Sequence, residues 1–598
     1  MGDTSASAIG IDARGAQENP PTDQTRSFSS LKSQRPLLIK SLAVSAEEYA
    51  GRVLSHSRLS ATSSLFSGVH YRALGTYLNH AYHIPTTSIR APNERPIPGS
   101  ESQNSFIIHS FDKNGRRHPV HGAAAETIKG MDSLANPGPI VGTLIFLMGY
   151  QTPGVLNEIG ARYNIDPELF RRHMDFDYTS GRNRQFPYPT LPSASGDMVH
   201  LLSTTVGCRA PYNDQITVDM DDNVRLRNRI TQLMEEYRTV LCLGNNAHLS
   251  QGRSIVRDVA LHDAQHFSIE QDISMYIGTA PTGWVALVWT DVGSDLGRDK
   301  DCAWHPSTLQ YGSHTVEYLP VPQHKSGIAL DAKNQASARR PDNGENTTVQ
   351  IPQSASLLHI DYGQSLDAKN MAADPFYALT EVFQFVAFSE VQLLNLLESK
   401  LTRELNPVLL SQKNLDLMPT LRTFVYNKQV LDRHIGRLNG ALEFLEAKSS
   451  KASPHQVAID ARTTLMADYQ YLKRRADAIA GRFDIGMGNL MNKAMIQESQ
   501  KAISQAEGVA QLTGLAFFFI PLSLTASIFG MNARQFVPGA PISIWVWVIT
   551  SVGTLLVAYL FLSWQAWKLK ERVQKLTPTA LFREFNASSK TEKTASPA

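Results

Sequence analysis

Hydrophobic positions are unevenly spread along the chain, and the densest lie near its end. VAQLTGLAFFFIPLSLTASIFG, starting at Val509, and ISIWVWVITSVGTLLVAYLFLSW, ending at Trp564, carry no charged residue. Each is roughly the 20 residues that a helix needs to cross a bilayer core, where every backbone N–H and C=O must be paired within the segment. The pattern predicts transmembrane helices over 509–531 and 542–564, joined by a loop, 532–541, too short to hold a domain.

Upstream the period becomes helical without being apolar all round. After Pro454, a mostly heptad-like stripe of Ile459, Leu465, Met466, Tyr469, Leu472, Ala476, Ile479, Phe483, Leu490, Ala494 and Ile496 predicts a stalk helix over 454–508. No further proline precedes the first apolar run, so stalk and span read as one rod of ~110 Å. Gly481, Gly486 and Gly488 weaken the pattern and suggest a bend. Residues 357–453 predict a helical bundle. One helix follows Asp374-Pro375, and a second, roughly Met418 to Ala447, aligns Leu421, Phe424, Leu431, Ile435, Leu438, Leu442 and Leu445.

Residues 36–323 read as a cytosolic α/β or α+β domain. Val155–Asp175 predicts two helices, the second capped by Asp166 with Pro167 at its first position. Tyr237–Gly244 and Trp284–Thr290 read as buried strands. Residues 324–356 form a polar, breaker-rich linker. The first 35 residues lack any apolar period and read as disordered, and 565–598 is a basic tail.

Composition narrows the class. Of 598 residues 19% are charged, with a formal net charge of +2, which gives no global field for nucleic acid. A mean hydropathy of −0.22 fits one hairpin attached to a large polar part. Cys208, Cys242 and Cys302 lie too far apart for a CxxC site or a disulfide framework. Lys493 and Lys501 precede the first span, Lys568, Lys570, Arg572 and Lys575 follow the second, and Arg534 is the loop's only charge. That bias predicts a multi-pass integral membrane protein, expected in the plasma membrane, with both termini cytosolic.

The face Val509, Leu512, Ala516, Ile520, Ser523, Ser527 and Gly530 of the first run is smaller and more polar than the opposite one, with Phe517, Phe518 and Leu522. Facing a symmetry axis, its serines would form hydrogen-bonding rings and Val509, Leu512 and Ile520 apolar constrictions. It bears no acid. A divalent cation passing there would keep its water, as Mg²⁺ does readily. Serine and threonine in such helices also commonly bond their own preceding turn or a neighbouring helix.

The run LTGLAFFFIPLSLTASIFGMN, with Leu512-Thr513, Pro521-Leu522 and Gly530-Met531-Asn532 at this spacing, resembles the CorA-type metal-ion transporter family. The likeness covers roughly Gln497 to Trp564, and upstream it is diffuse, in the style of large fungal CorA-like proteins. It implies a homopentamer in a lipid bilayer whose pore is lined by the first span. It also implies that Asn532 presents amide oxygens to a hydrated ion at the outer mouth, where Gly530 lets the chain leave the helix and Met531 packs beneath. Transported Mg²⁺ or another divalent cation is then the substrate, and no resident cofactor is expected. The loop ARQFVPGAP departs from the family's frequent acidic stretch, and a ring of Arg534 would repel divalent cations.

Other constellations are weaker. His262 and His266, read as one helical turn apart beside Asp258 and Asp263, lack the glutamate of an HExxH site. Asp291, Asp295, Asp299 and Asp301 lack calcium-loop spacing and read as a solvated acidic loop. With no GxSxG, P-loop or GxGxxG in context, no enzyme is expected. Two alternatives to Mg²⁺ transport stand: a Zn²⁺ or other metal transporter of the ZntB branch, and a non-conducting, membrane-anchored oligomeric scaffold or sensor.

Overall fold

The computed structural model describes residues 44–60, 62, 64–83, 104–133, 139–176, 191–209, 220–242, 251–280, 283–293, 296, 302–310, 316–325, 353–410, 417–449, 456–532 and 544–575. The N-terminal 35 residues, most of the 324–356 linker, Arg534 and the loop around it, and Asp295, Asp299 and Asp301 lie outside them.

In chain order the principal elements are α1 (Ala46–Ser57), α2 (Arg72–His83), β1 (Phe106–Asp112), β2 (Arg117–Gly122), β3 (Ile140–Met148), α3 (Pro153–Tyr163), α4 (Pro167–His173) and β4 (Met198–Cys208). There follow α5 (Met220–Cys242), β5 (Asp258–Leu261), β6 (His266–Ala280), β7 (Gly283–Thr290), β8 (Glu317–Tyr318), α6 (Thr380–Leu410), α7 (Met418–Ser449), α8 (Gln456–Asn532) and α9 (Ile544–Lys575). The strands make one mixed sheet in the order β2-β1-β3-β7-β6-β4-β8, with β5 paired to β6. The β3–β7 pair is parallel and the other pairs are antiparallel.

Strand alternation sorts the side chains into two cores. Phe106, Ile108, Ile145, Leu147, Val285 and Leu287 face α1 to α4. Ile107, Phe111, Leu144, Phe146, Ala286 and Val288 face α6, α7 and the first half of α8. The result is a mixed α/β domain in three layers, with a long C-terminal helix and a second apolar helix. The α3–α4 pair follows its sequence signals. Asn164 closes α3 with a left-handed φ of 51°, and the Asp166 carboxylate accepts the Glu168 N–H to start α4.

Three readings need correction. Tyr237–Cys242 ends helix α5 rather than forming a strand, because Leu226, Ile230, Leu233, Met234, Tyr237 and Leu241 recur at helical spacing over a longer stretch than the local apolar run. His262 and His266 flank the tight β5–β6 turn rather than a helical turn, with Asp263 accepting the N–H groups of Gln265 and His266. Asp291 is fully buried, not solvated.

In α8 the seam is stricter than the sequence suggested. Ala458, Leu465, Tyr469, Leu472, Ala476, Ile479, Phe483, Gly486 and Leu490 are all buried, in a four-three alternation from Leu465 onward. This is the 3.5-residue repeat that keeps one edge of the helix in the groove between α6 and α7. The helix is unbroken for 77 residues, about 115 Å at 1.5 Å per residue, and it passes through the glycines expected to bend it. Gly486 takes a seam position because a Cβ there would meet the Phe424 ring at 3.2 Å, whereas Gly481 and Gly488 face open space.

Candidate ion pathway

Beyond Ala494, half-buried against the domain core, the long helix leaves the domain. From Glu498 to Leu515 every residue is exposed, and among the described residues its apolar end meets α9. Both helices are long and apolar enough to cross a membrane. They touch along a narrow line. Pro521 and Leu522 are half-buried and Thr525 is buried on α8, facing Ser551, with Val548, Leu555, Ala558 and Leu562 half-buried along α9. The Thr525 and Ser551 hydroxyl oxygens lie 3.0 Å apart, and Thr525 also donates to the Leu522 carbonyl at 2.9 Å. A hydroxyl pair inside an apolar hairpin satisfies two groups that lipid cannot.

That contact fixes a direction against which the sequence-derived face can be measured. At about 100° per residue, Val509, Leu512, Ala516, Ile520, Ser523, Ser527 and Gly530 all fall within about 40° of the direction opposite Thr525. The stripe points away from the hairpin partner. Leu512 and Ile520 are 68% and 65% exposed in the single chain, and Ser523 and Ser527 are exposed too. Thr513, off the stripe, bonds back to the Val509 carbonyl at 2.7 Å. The helical backbone continues through Gly530 and Met531 to Asn532. Asn532 repeats the register of Thr525 two turns on, so its backbone position falls outside the stripe.

A second polar assembly, missed in the sequence, joins the sheet to the helices that hold α8. Thr420, Asn427, His434, Ala441 and Lys448 recur every seven residues on α7, all buried. His262 Nδ1 lies 2.8 Å from Asn427 Oδ1 and its Nε2 2.8 Å from Ser268 Oγ. With both nitrogens engaged and burial holding its pKa down at about 4, His262 is a clasp between the β5–β6 turn and α7. His434 Nδ1 lies 2.8 Å from Glu390 Oε1 and its Nε2 3.5 Å from Glu270 Oε1. Burial alone would lower its pKa, but the two carboxylates push it up to about 10. Arg433 spans Asp258 and Glu270 at 2.7 and 2.8 Å, and Lys448 reaches Asp197 at 2.7 Å. The seven-residue recurrence was visible in the sequence, but polar residues at helical spacing ordinarily mark a solvated face.

Asp291, His173 and Ser274 reproduce the bonding order of a hydrolytic triad. His173 Nε2 is 3.2 Å from Asp291 Oδ1, and His173 Nδ1 is 2.7 Å from Ser274 Oγ. All three are 0% exposed. Arg257 also donates twice to Asp291, at 2.6 and 3.0 Å. Burial would raise the Asp291 pKa, but Arg257 and His173 hold it at about 2. Ser274 Oγ is shared with His200 Nδ1 at 2.7 Å, and a nucleophile closed to substrate on every side has only a structural use. Among the described residues no three His, Cys, Asp or Glu side chains converge closely enough to hold a metal ion.

No protein-family model matches the chain, and no curated protein does either.

Proposed function

We propose that the chain is a CorA-type channel or transporter that passes hydrated divalent cations, Mg²⁺ first among them, across a membrane. The observation that carries this reading is the register of α8: the small, hydroxylated, acid-free stripe lies opposite the hairpin partner and runs up to Gly530, the first residue of Gly530-Met531-Asn532. With α9 occupying the other side, copies of α8 can gather around an axis stripe to stripe, in a homopentamer as the CorA resemblance implies. Ser523 and Ser527 then offer hydroxyls to the ion's water. Val509, Leu512 and Ile520 close the pore by dewetting, and Asn532 receives the hydrated ion at the mouth. Mg²⁺ suits a pathway without carboxylates because it gives up its waters reluctantly. With both termini cytosolic, at the plasma membrane, a negative-inside potential drives a doubly charged ion inward by about 4.6 kcal/mol per 100 mV.

The test is flux of Mg²⁺ and of Zn²⁺ into proteoliposomes under an imposed negative-inside potential. Flux that disappears on Asn532→Ala supports the reading, and the faster ion assigns the branch. Wild-type flux in Asn532→Ala removes Asn532 from the pathway. No flux from a folded oligomer transfers the protein to the scaffold or sensor class.

A further inference from the structure

Helix α9 is longer than a bilayer requires. Its 32 residues extend about 48 Å, against ~30 Å for a hydrocarbon core. The apolar window closes at Trp564, and the helical backbone continues through Gln565–Lys575, whose sequence is QAWKLKERVQK. Lys568, Lys570, Arg572 and Lys575 stand there against Glu571 alone. On the same side of the span, the approach to the membrane along α8 carries Lys493 and Lys501 balanced by Glu498 and Glu507. The positive excess therefore belongs to one helix end. Trp564 and Trp567 are exposed, and Lys568 Nζ sits 4.1 Å from the centroid of the Trp564 ring. A cation tied to an aromatic ring at the end of an apolar span is placed at headgroup depth.

We infer that Gln565–Lys575 is a docking surface for anionic phospholipid headgroups of the leaflet facing the sheet domain. The inference rests on α9 being a membrane span. Trp564, Lys568 and Arg572 share one register line at four-residue spacing, so the charge begins within one turn of the hydrocarbon boundary. At 1.5 Å per residue Lys568 lies about 6 Å beyond Trp564, inside the Debye length of about 8 Å over which a leaflet's surface potential acts, and Lys570, Arg572 and Lys575 follow at about 9, 12 and 17 Å along the helix. The chemistry required of the partner is a clustered negative charge fixed at the interface, which a phosphatidylserine-type headgroup supplies and a zwitterionic one does not.

The experiment uses the full chain in phosphatidylcholine vesicles containing an equal mole fraction of either brominated phosphatidylserine or brominated phosphatidylcholine, read by tryptophan quenching. Trp289 and Trp304, buried in the sheet domain, are out of reach and report that the fold is intact. The expected result is quenching by the serine lipid as though it were enriched about fivefold, the effect of one Lys or Arg seated at an anionic surface. The enrichment should shrink at about 0.5 M salt and vanish in the combined variant Lys568→Gln, Lys570→Gln, Arg572→Gln and Lys575→Gln. Equal quenching by both lipids, or a serine preference that survives the four substitutions, overturns the inference. Quenching by neither lipid overturns the membrane reading beneath it.

Discussion

His434→Gln removes the one imidazolium between two buried carboxylates, and the structure sets both the size and the pH signature of the damage. The ring is 0% exposed, while Glu270 and Glu390 on either side are 3% and 2% exposed. Breaking a buried pair by deleting one partner costs about 3–5 kcal/mol, because the remaining charge stays desolvated. Since the His434 pKa is raised from 6.5 to about 10, its stabilisation is complete below pH 6.5 and is lost as the pH climbs through about 10. Burial would raise the Glu270 pKa, but Arg433 and His434 hold it at about 2, below the ordinary 4.5 of a glutamate. That contribution is complete above pH 4.5 and is lost as the pH falls towards about 2. Denaturant unfolding of the detergent-solubilised full chain, followed by tryptophan emission, should show the variant weakest relative to wild type near pH 6. The gap should narrow steadily towards pH 9.5 as the wild-type ring gives up its proton. A gap that does not change with pH, or a loss near pH 6 below about 1 kcal/mol, refutes the assignment of a charged imidazole to this site.

Other outcomes follow from the two long helices. Gly486→Leu drives a side chain into the Phe424 ring and should destabilise the domain by about 1–3 kcal/mol, whereas Gly481→Ala, facing open space, should stabilise it by about 0.5–1 kcal/mol; unfolding curves of the two variants check both signs. Thr525→Val, with the Ser551 hydroxyl left unpaired, should cost about 0.6–2 kcal/mol of hairpin stability, read as easier unfolding in detergent that the double variant with Ser551→Ala partly restores. In a background with Cys208, Cys242 and Cys302 changed to serine, Ala502→Cys on the stripe side should cross-link between copies with a short bismaleimide. Ile503→Cys, on the α9 side, should not, and the reverse order would mean that a different face of α8 meets its copies.

The parts legible in the sequence are those where a single period governs burial. The stalk stripe from Leu465 to Ala494 and the α7 leucines each repeat along one helix and are buried or half-buried there, while Ile459 and Ile496 at the ends of the stripe are exposed, and Trp284–Thr290 is a strand in the middle of the sheet. Errors arose where burial is decided by partners distant in sequence. Asp291 looks like one of several loop carboxylates until Arg257 and His173 meet it from other elements. The His262–His266 pair has helical spacing, yet its backbone is pinned by Asp263 into a hairpin and its first ring by Asn427, 165 residues away. The Asn427–His434 stripe follows the same logic: its polar residues are interior only because Ser268, Glu270 and Glu390 supply partners. For the candidate pathway, the stripe could be named from one helix, but its bearing relative to α9 required the Thr525–Ser551 contact.

The two halves of α8 answer different physical demands. Up to Leu490 the helix is gripped through the four-three seam by α6 and α7, which are themselves fastened to the sheet by buried charge. Beyond it the helix keeps its backbone regularity but every residue over Glu498–Leu515 is exposed, Ile503, Val509 and Leu512 among them. An isolated stretch of that length, roughly 27 Å, is only marginally helical in water. It gains support from continuity with the seam below and, on the proposed function, from the bilayer above and from covering its own stripe with further copies. Because no loop interrupts the rod between seam and span, a change in how α6 and α7 hold Leu465–Leu490 has to reappear at Val509–Asn532 as tilt, rotation or bending of one helix. The sheet domain and the candidate pathway are therefore mechanically joined through α8, and the buried ladder that fixes α7 to the sheet is the part of the fold that sets how rigidly.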